Sequence, residues 1–390
     1  MTWRRLHIAV LCLSSALGMN LHVQAQESAT GSKRHKGIVR FVEKVGEFID
    51  SMSVKGLDRN YIDAPEKPWQ IIVQGNLNQT ELKMKAIADG YDLFGEGFGD
   101  ITLTSHMRTS PSSYVGLWAG YRGYGIGYSR NVAGDRGSIF KIGATGGAYG
   151  VNLRIHSFED YNPSLAMSGM MQGYRQELVA DYFLISPIRA RTVIFDGYYL
   201  FNGKRFSYAA AYDQSVIQKR SAGSLMAGLM FYHSRINFDN DTDPDFILFM
   251  EDTGRIKQNQ LSIGAGYAYN LVPHKRVLVN VMTMPTLTLY NQIIAWKYDS
   301  KMRQALIEQR KNPDAATDSD DDLCFIWETG KETSYSHPTL NFDSRLSVTY
   351  NADSWFLNIN GQFNTFFYHH GRSKGRLNDW LVNVSVGARL

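Results

Sequence analysis

Cysteine is nearly missing from this sequence, with two in 390 residues, Cys12 and Cys324. Cys12 falls in the apolar leader described below, so Cys324 stands alone and an internal disulfide is excluded. In "DDDLCFIWETG" that thiol has no basic neighbour to lower its pKa, and it reads as a bystander rather than a nucleophile. Charge is scarce too, with Asp, Glu, Lys and Arg making up 20% of the chain, which suits neither a disordered chain nor a helical enzyme. Beyond the N-terminus there is no long apolar run. The longest, "LMAGLMFY" at Leu225–Tyr232, is far short of the roughly 20 residues a membrane helix needs.

The first residues carry the three parts of an export signal. Arg4 and Arg5 supply the positive start, Ile8 to Leu17 the apolar stretch, and Val23-Gln24-Ala25 the small residues of a cleavage point. Cleavage is expected at Ala25-Gln26, making residues 1–25 a signal peptide. Cys12 follows Leu11 and lacks the small residue of a lipoprotein site. Removing the signal takes two basic and no acidic residues, leaving 39 against 37, so the chain is nearly neutral and nucleic acid is not an expected partner. An exported chain with no membrane helix is either soluble or a barrel. The destination expected here is the outer membrane of a Gram-negative bacterium.

What the chain has in abundance is Tyr, with 22, Gly, with 35, and aromatics at 13% overall. Residues 26–68 read as a polar segment, an amphipathic helix and a linker. Ile38, Phe41, Val42, Val45, Phe48, Ile49 and Met52 recur three and four apart, and "GLDRNYIDAPEKPW" follows. From Trp69 to Leu390 the period changes to two. Val115, Leu117, Ala119 and Tyr121 alternate with Tyr114, Gly116, Trp118 and Gly120. Ile101, Leu103 and Met107 alternate with Thr102, Thr104, His106 and Arg108. Leu340, Phe342, Leu346, Val348 and Tyr350 oppose Asn341, Asp343, Arg345, Ser347 and Thr349. The last strand sets Val382, Val384, Val386, Ala388 and Leu390 against Asn383, Ser385, Gly387 and Arg389.

Strands of ten or more residues, aromatic ends, and polar faces of Gly, Ser, Thr and Asn favour a membrane barrel over a soluble sandwich. The fold class expected is all-β, a transmembrane antiparallel β-barrel of about 14 strands, with 12 to 16 compatible. "YNADSW" and "NLVPHKR" read as short periplasmic turns, and Ile293–Tyr335 and Asp239–Gly254 as long outer loops. "RFSYAAAYDQSVIQKR" reads as either a strand or a helical excursion. The final strand is expected to pair with the first and close the sheet.

"GLDRNYIDAPEKPW", "GKRFSYAAAYDQSVIQKRSAGS" and "LSIGAGYAYNLVP" followed by "MTMPTLTLYN" resemble an uncharacterised family of Bacteroidetes-type exported proteins, domain of unknown function 4421. The resemblance covers about residues 55 to 390, with "QKRSAGS" its most specific block. It implies an outer-membrane barrel and no reaction.

Gly-rich runs such as "GLWAGYRGYGIGY" open no helix and are not phosphate loops; they keep one strand face free of side chains. "DNDTDPDFILFME" offers Asp239, Asp241 and Asp243 as weak surface cation ligands, but Pro244 and Met250 stand where a calcium loop needs Gly and Glu. No dedicated metal site and no cofactor are expected. "FYHHGRSKGR" brings His369, His370 and Ser373 together without an orienting carboxylate, so no catalytic residue is assigned. Its Arg372, Lys374 and Arg376 suit anionic lipid head groups.

The lumen-lining candidates are His106, Arg108, Asp343, Arg345, Asn358, Asn360 and Arg389, all on polar strand faces. A charge on the lipid face would cost about 2–4 kcal/mol at mid-bilayer. Inside, such groups either line a water path or pair to close it. The function expected is a passive pore for small solutes. The alternatives are a closed barrel with a structural or surface role and, behind it, a barrel enzyme acting on envelope lipid. Outer-membrane lipid and the barrel-assembly machinery are the expected partners.

Overall fold

Alternation becomes extended chain along most of the described residues. The computed structural model describes residues 56–88, 101–162, 164–171, 174–181, 186–237, 253–301, 304, 326–370 and 373–390. These belong to one compact unit, Val54–Leu390. The leader, the helix expected near residues 38–52, Cys324, and the acidic runs with Asp239, Asp241, Asp243 and Asp320 lie outside the described residues.

A short β1 (Ile62–Asp63) precedes the long β2 (Trp69–Ala88). Next come β3 (Ile101–Arg108), β4 (Ser112–Tyr121), β5 (Tyr124–Ala133), β6 (Arg136–Thr145) and β7 (Tyr149–Asp160). β8 (Ser164–Met171), β9 (Tyr174–Asp181) and β10 (Ile188–Leu200) lead to one helical turn, α1 (Ala209–Tyr212), and to β11 (Ile217–Gln218). The rest are β12 (Ala222–Asn237), β13 (Thr253–His274), β14 (Val277–Ser300), β15 (Ile326–Tyr335), β16 (Leu340–Asn351), β17 (Trp355–His370) and β18 (Ser373–Arg389).

Twelve strands close a ring in the order β2, β4, β5, β6, β7, β10, β12, β13, β14, β16, β17 and β18, with β18 returning to β2. The β18–β2 register runs without a break from Lys374↔Lys85 to Arg389↔Gln70, so the ring leaves no free edge. Twelve is the lower end of the expected range. β3, β8, β9 and β15 join the sheet outside the ring. β3 pairs with the second half of β2, beyond β4, and β15 with the second half of β14, beyond β16. They prolong the wall past the ring instead of widening it. Both ends of the outer loop expected from Ile293 to Tyr335, residues 293–300 and 326–335, are therefore strand.

The exterior is apolar. Ile71, Val73, Leu117, Leu225, Val281, Leu346, Ile359, Val384 and Val386 are all exposed, while Gln70, Asn76, Asn280, Thr349, Asn358 and Asn383 are buried. Water would penalise such an inside-out surface at about 25 cal/mol for each Å² of apolar area, whereas hydrocarbon does not. Aromatic pairs bound the belt at the end where Trp69 meets Leu390, here called the proximal end: Trp69 with Tyr121, Tyr350 with Trp355, and Tyr199 with Phe201. This is a transmembrane β-barrel.

Connections at the proximal end are short. Arg122 and Gly123 turn β4 into β5 with φ of 50° and 89°, the left-handed pair a two-residue hairpin needs. Residues 146–148, 275–276 and 352–354 make the other tight turns. The exception is the connection 201–221 between β10 and β12.

Candidate functional site

The exceptional connection folds back into the barrel. Phe206, Ala210 and Ala211 are completely buried, and Tyr208, Ala209 and Gln214 nearly so. β11 pairs with β1, so the segment before β2 joins the same insert. Small alanines let α1 lie against Ile62, Val216 and Leu278, and Phe206 and Tyr208 pack on Met226, Met282 and Met284 of the inner wall. The insert is a plug whose apolar core is shared with the inner wall.

Wall side chains capture the plug's open carbonyls, which a single helical turn cannot satisfy. Ser347 Oγ and Asn358 Nδ2 donate to the Ala211 carbonyl at 2.6 and 3.1 Å. Gln70 Nε2 and Arg389 Nη2 donate to the Gln214 carbonyl at 2.7 and 3.1 Å. Gln214 holds φ at 58°, a left-handed conformation uncommon for a side-chain-bearing residue, and it aims that carbonyl at the wall. Asn270 Nδ2 donates to the Ser207 carbonyl at 2.8 Å, and Tyr212 Oη donates to Asn280 Oδ1 at 2.6 Å.

Charges then tie the walls together. Arg345 on β16 meets Asp343 on the same face, with Nε and Nη2 at 3.1 and 2.8 Å from its oxygens. It reaches Asp196 on β10 at 3.0 Å, and its Nη1 donates to Tyr208 of the plug at 2.7 Å. Arg154 on β7 pairs with Asp379 on β18. At that level Ile194, Met230, Tyr232, Phe366 and Leu377 form a buried hydrophobic cluster, with Tyr232 stacked on Phe366 at 4.1 Å between centroids. Ile194 and Leu377 come from β10 and β18, which stand opposite each other in the ring.

A cavity of about 140 Å³ remains in the lumen, lined in part by Trp118, Lys141, Arg154, Asp196, Tyr212 and Asn383. Lys141 and Arg154 are direct cross-strand partners, and Lys141 Nζ donates to an amide oxygen, Asn76 Oδ1, at 3.4 Å. Trp118 lies on a bed of glycines: a Cβ at Gly125 or Gly127 would approach the indole to 2.6 or 2.7 Å. Met284 fills the matching gap over Gly228, Gly264 and Gly266. The glycines thus clear one face so that large side chains can lie flat on it.

Of the residues singled out in the sequence, Asp343, Arg345, Asn358 and Arg389 are buried on the inner face. Asn360 joins them, donating to Asn358 Oδ1 and Asn383 Oδ1 at 2.6 and 3.2 Å. His106 and Arg108 do not. They sit on β3, outside the ring, opposite Lys83 and Glu81 on the outward face, and Arg108 is exposed. The buried neighbour between them is Met107. Past the bilayer the wall meets water and head groups, so polarity inverts: apolar residues turn inward and charges outward. His369 lies against His337 at 5.6 Å between centroids, while the side chains of His370 and Ser373 are outside the described residues. Among the described residues no group of three or more His, Cys, Asp or Glu is placed to hold a metal.

Sequence reasoning missed Lys141, Arg154, Asp196 and Asp379. Each is a charge inside a strand, the same signal that marked Asp343 and Arg345. The plug's own signal was a connection of 21 residues at an end of two- and three-residue turns, rich in alanine and tyrosine.

A family model described as domain of unknown function (DUF4421) matches residues 57–388. No curated relative matches the chain. Among solved structures, the translocator domain of the autotransporter NalP from Neisseria meningitidis aligns at 8% identity and TM-score 0.31, covering 91% of this chain and 98% of that one. The outer membrane protease OmpT from Escherichia coli aligns at 7% and 0.36, covering 84% and 97%. OprG from Pseudomonas aeruginosa aligns at 11% and 0.25, covering 83% and 97%. The barrel assignment rests on the strand pairing itself.

Proposed function

We propose, from the premise that the chain belongs to the DUF4421 family, that it is an integral outer-membrane barrel held closed by its own plug, with a structural or surface-interaction role. The short connections at the proximal end support a periplasmic orientation for that end, with the extended walls outward. The observation that carries the reading is the latch on the plug: four wall side chains, Gln70, Ser347, Asn358 and Arg389, converge on two plug carbonyls. A passive pore needs the opposite, a lumen whose polar groups are left to water.

Planar-bilayer recording tests it. Wild-type protein inserts without discrete conductance steps, while a variant with residues 203–217 replaced by a short Gly-Ser linker produces them. Frequent steps from the wild type would sink the closed reading. They would favour the second one, a channel for small solutes, which the cavity beside Lys141 supports. No reaction is assigned.

A further inference from the structure

The outward face of β2 and β18 changes chemistry partway along. On β18 the exposed Val386, Val384 and Val382 give way through Trp380 to Asn378, Arg376 and Lys374. On β2 the exposed Ile71, Val73 and Leu77 give way to Gln79, Glu81, Lys83 and Lys85. The register sets Arg376 directly opposite Lys83, and Lys374 directly opposite Lys85. Four cations therefore form a block two strands wide on one face.

The neighbouring strands continue it. On β3, His106 stands opposite Lys83 and Arg108 opposite Glu81. On β17, His369 stands opposite Lys374 and Phe367 opposite Arg376. Glu81 is committed within the patch, to Lys83 at 3.4 Å, Arg108 at 3.2 Å and His106. Among the described residues Lys85, Lys374 and Arg376 make no ion pair. Like charges directly opposite across two strands repel, so this block is unfavourable by itself and gains from an anion laid across it.

Height and lining identify the anion. Four residues separate Arg376 from Trp380, about 13 Å along a strand and about 9 Å along the bilayer normal for a strand tilted near 45°. That is head-group level. A shallow groove of about 470 Å³ runs there, with Lys83, Lys85, Lys374 and Arg376 beside Leu340 and Phe367. Cations at head-group height next to apolar side chains complement a phosphate whose attached acyl chains descend along the belt. A free anion has no use for Leu340 and Phe367.

We infer that Lys83, Lys85, Lys374 and Arg376 form a site for the phosphomonoester groups of a lipid of net negative charge in the leaflet at the distal end. The inference rests on the outer-membrane reading above. The bonds are charge-assisted and weaken with salt.

The test uses the full mature chain in phosphatidylcholine nanodiscs carrying either bisphosphorylated lipid A or its fully dephosphorylated form, with lipid retention read by native mass spectrometry. Wild type retains the phosphorylated lipid at least tenfold over the other. The variant K83Q/K85Q/K374Q/R376Q loses that preference while keeping the gel shift between boiled and unboiled barrel, and K275Q, at the proximal end, keeps both. Equal retention of the two lipids by wild type, or an undiminished preference in the fourfold variant, overturns the site. So does full displacement of the lipid by millimolar inorganic phosphate, which would make it a free-anion site. A wild type that neither inserts nor shows the gel shift fails earlier, at the barrel reading, and takes the site with it.

Discussion

Arg345 is the residue on which two walls and the plug converge, through Asp343, Asp196 and Tyr208. Removing one partner of a buried charge cluster leaves the other uncompensated, at a cost of about 3–5 kcal/mol. Arg345→Met therefore lowers the urea midpoint of the detergent-folded barrel, and adding Asp343→Asn recovers part of the loss; an unchanged midpoint counts against the cluster as a fastener. Asp135, in the turn between β5 and β6, gives a pH dependence. Burial holds its carboxyl up at about 6, against an ordinary 3.8, with Asp160 adding to the rise and hydrogen bonds from Tyr114, Ser112 and Asn131 opposing it. Between about pH 4 and 6 the folded chain keeps a proton that the unfolded chain has released, so this contribution is full below the window and lost as pH rises through it. The melting temperature of Asp135→Asn relative to wild type should accordingly climb from pH 4 to pH 7. A constant difference would contradict the assignment. At this scale the sequence was partly legible: Asp343, Arg345 and Arg389 showed themselves as charges on a polar phase, whereas His106 and Arg108 obeyed the same phase rule and were misplaced, because the phase reverses beyond the bilayer.

Among elements, the plug is where sequence reading stopped short. Residues 201–221 show neither sustained strand alternation nor a helix longer than the single turn of α1, and their structure comes from contacts with Met282, Asn358 and Arg389, far away in the chain. No local pattern encodes such an element. Its fit can be probed by overpacking. Ala210 is fully buried among Ile62, Ala211 and Leu278. Ala210→Trp cannot be accommodated without moving α1, at a cost of about 1–3 kcal/mol. It should speed trypsin cleavage at Lys204, Arg205 and Lys219 in detergent while the barrel remains resistant. Unchanged cleavage would mean that the plug is looser than its contacts imply. The strands, by contrast, were readable nearly residue by residue, since Val382, Val384 and Val386 are exposed and Asn383, Ser385 and Arg389 buried, as their alternation requires.

For the whole molecule, the bilayer acts as a second solvent, and β2 records its boundary along one strand. Below Asn78 its outward residues are Ile71, Val73 and Leu77, with Gln70, Gln74 and Asn76 inside; above it Glu81, Lys83 and Lys85 face out while Leu82 packs inward against Phe366 and Leu377. The same hydrophobic preference gives opposite patterns because the outer medium changes from hydrocarbon to water. A single-cysteine scan in a Cys324→Ser background would map that boundary. Spin labels at Val73, Leu77, Val382 and Val384 should be reached by oxygen, which dissolves in lipid, and shielded from a water-soluble nickel chelate. Labels at Lys83, Lys85 and Lys374 should show the reverse. The crossover should fall near Gln79 on β2 and Trp380 on β18, which the register places side by side. Chelate access at Val384 equal to that at Lys85 would show that water covers the whole outer face, and the transmembrane placement of the barrel would fall with it.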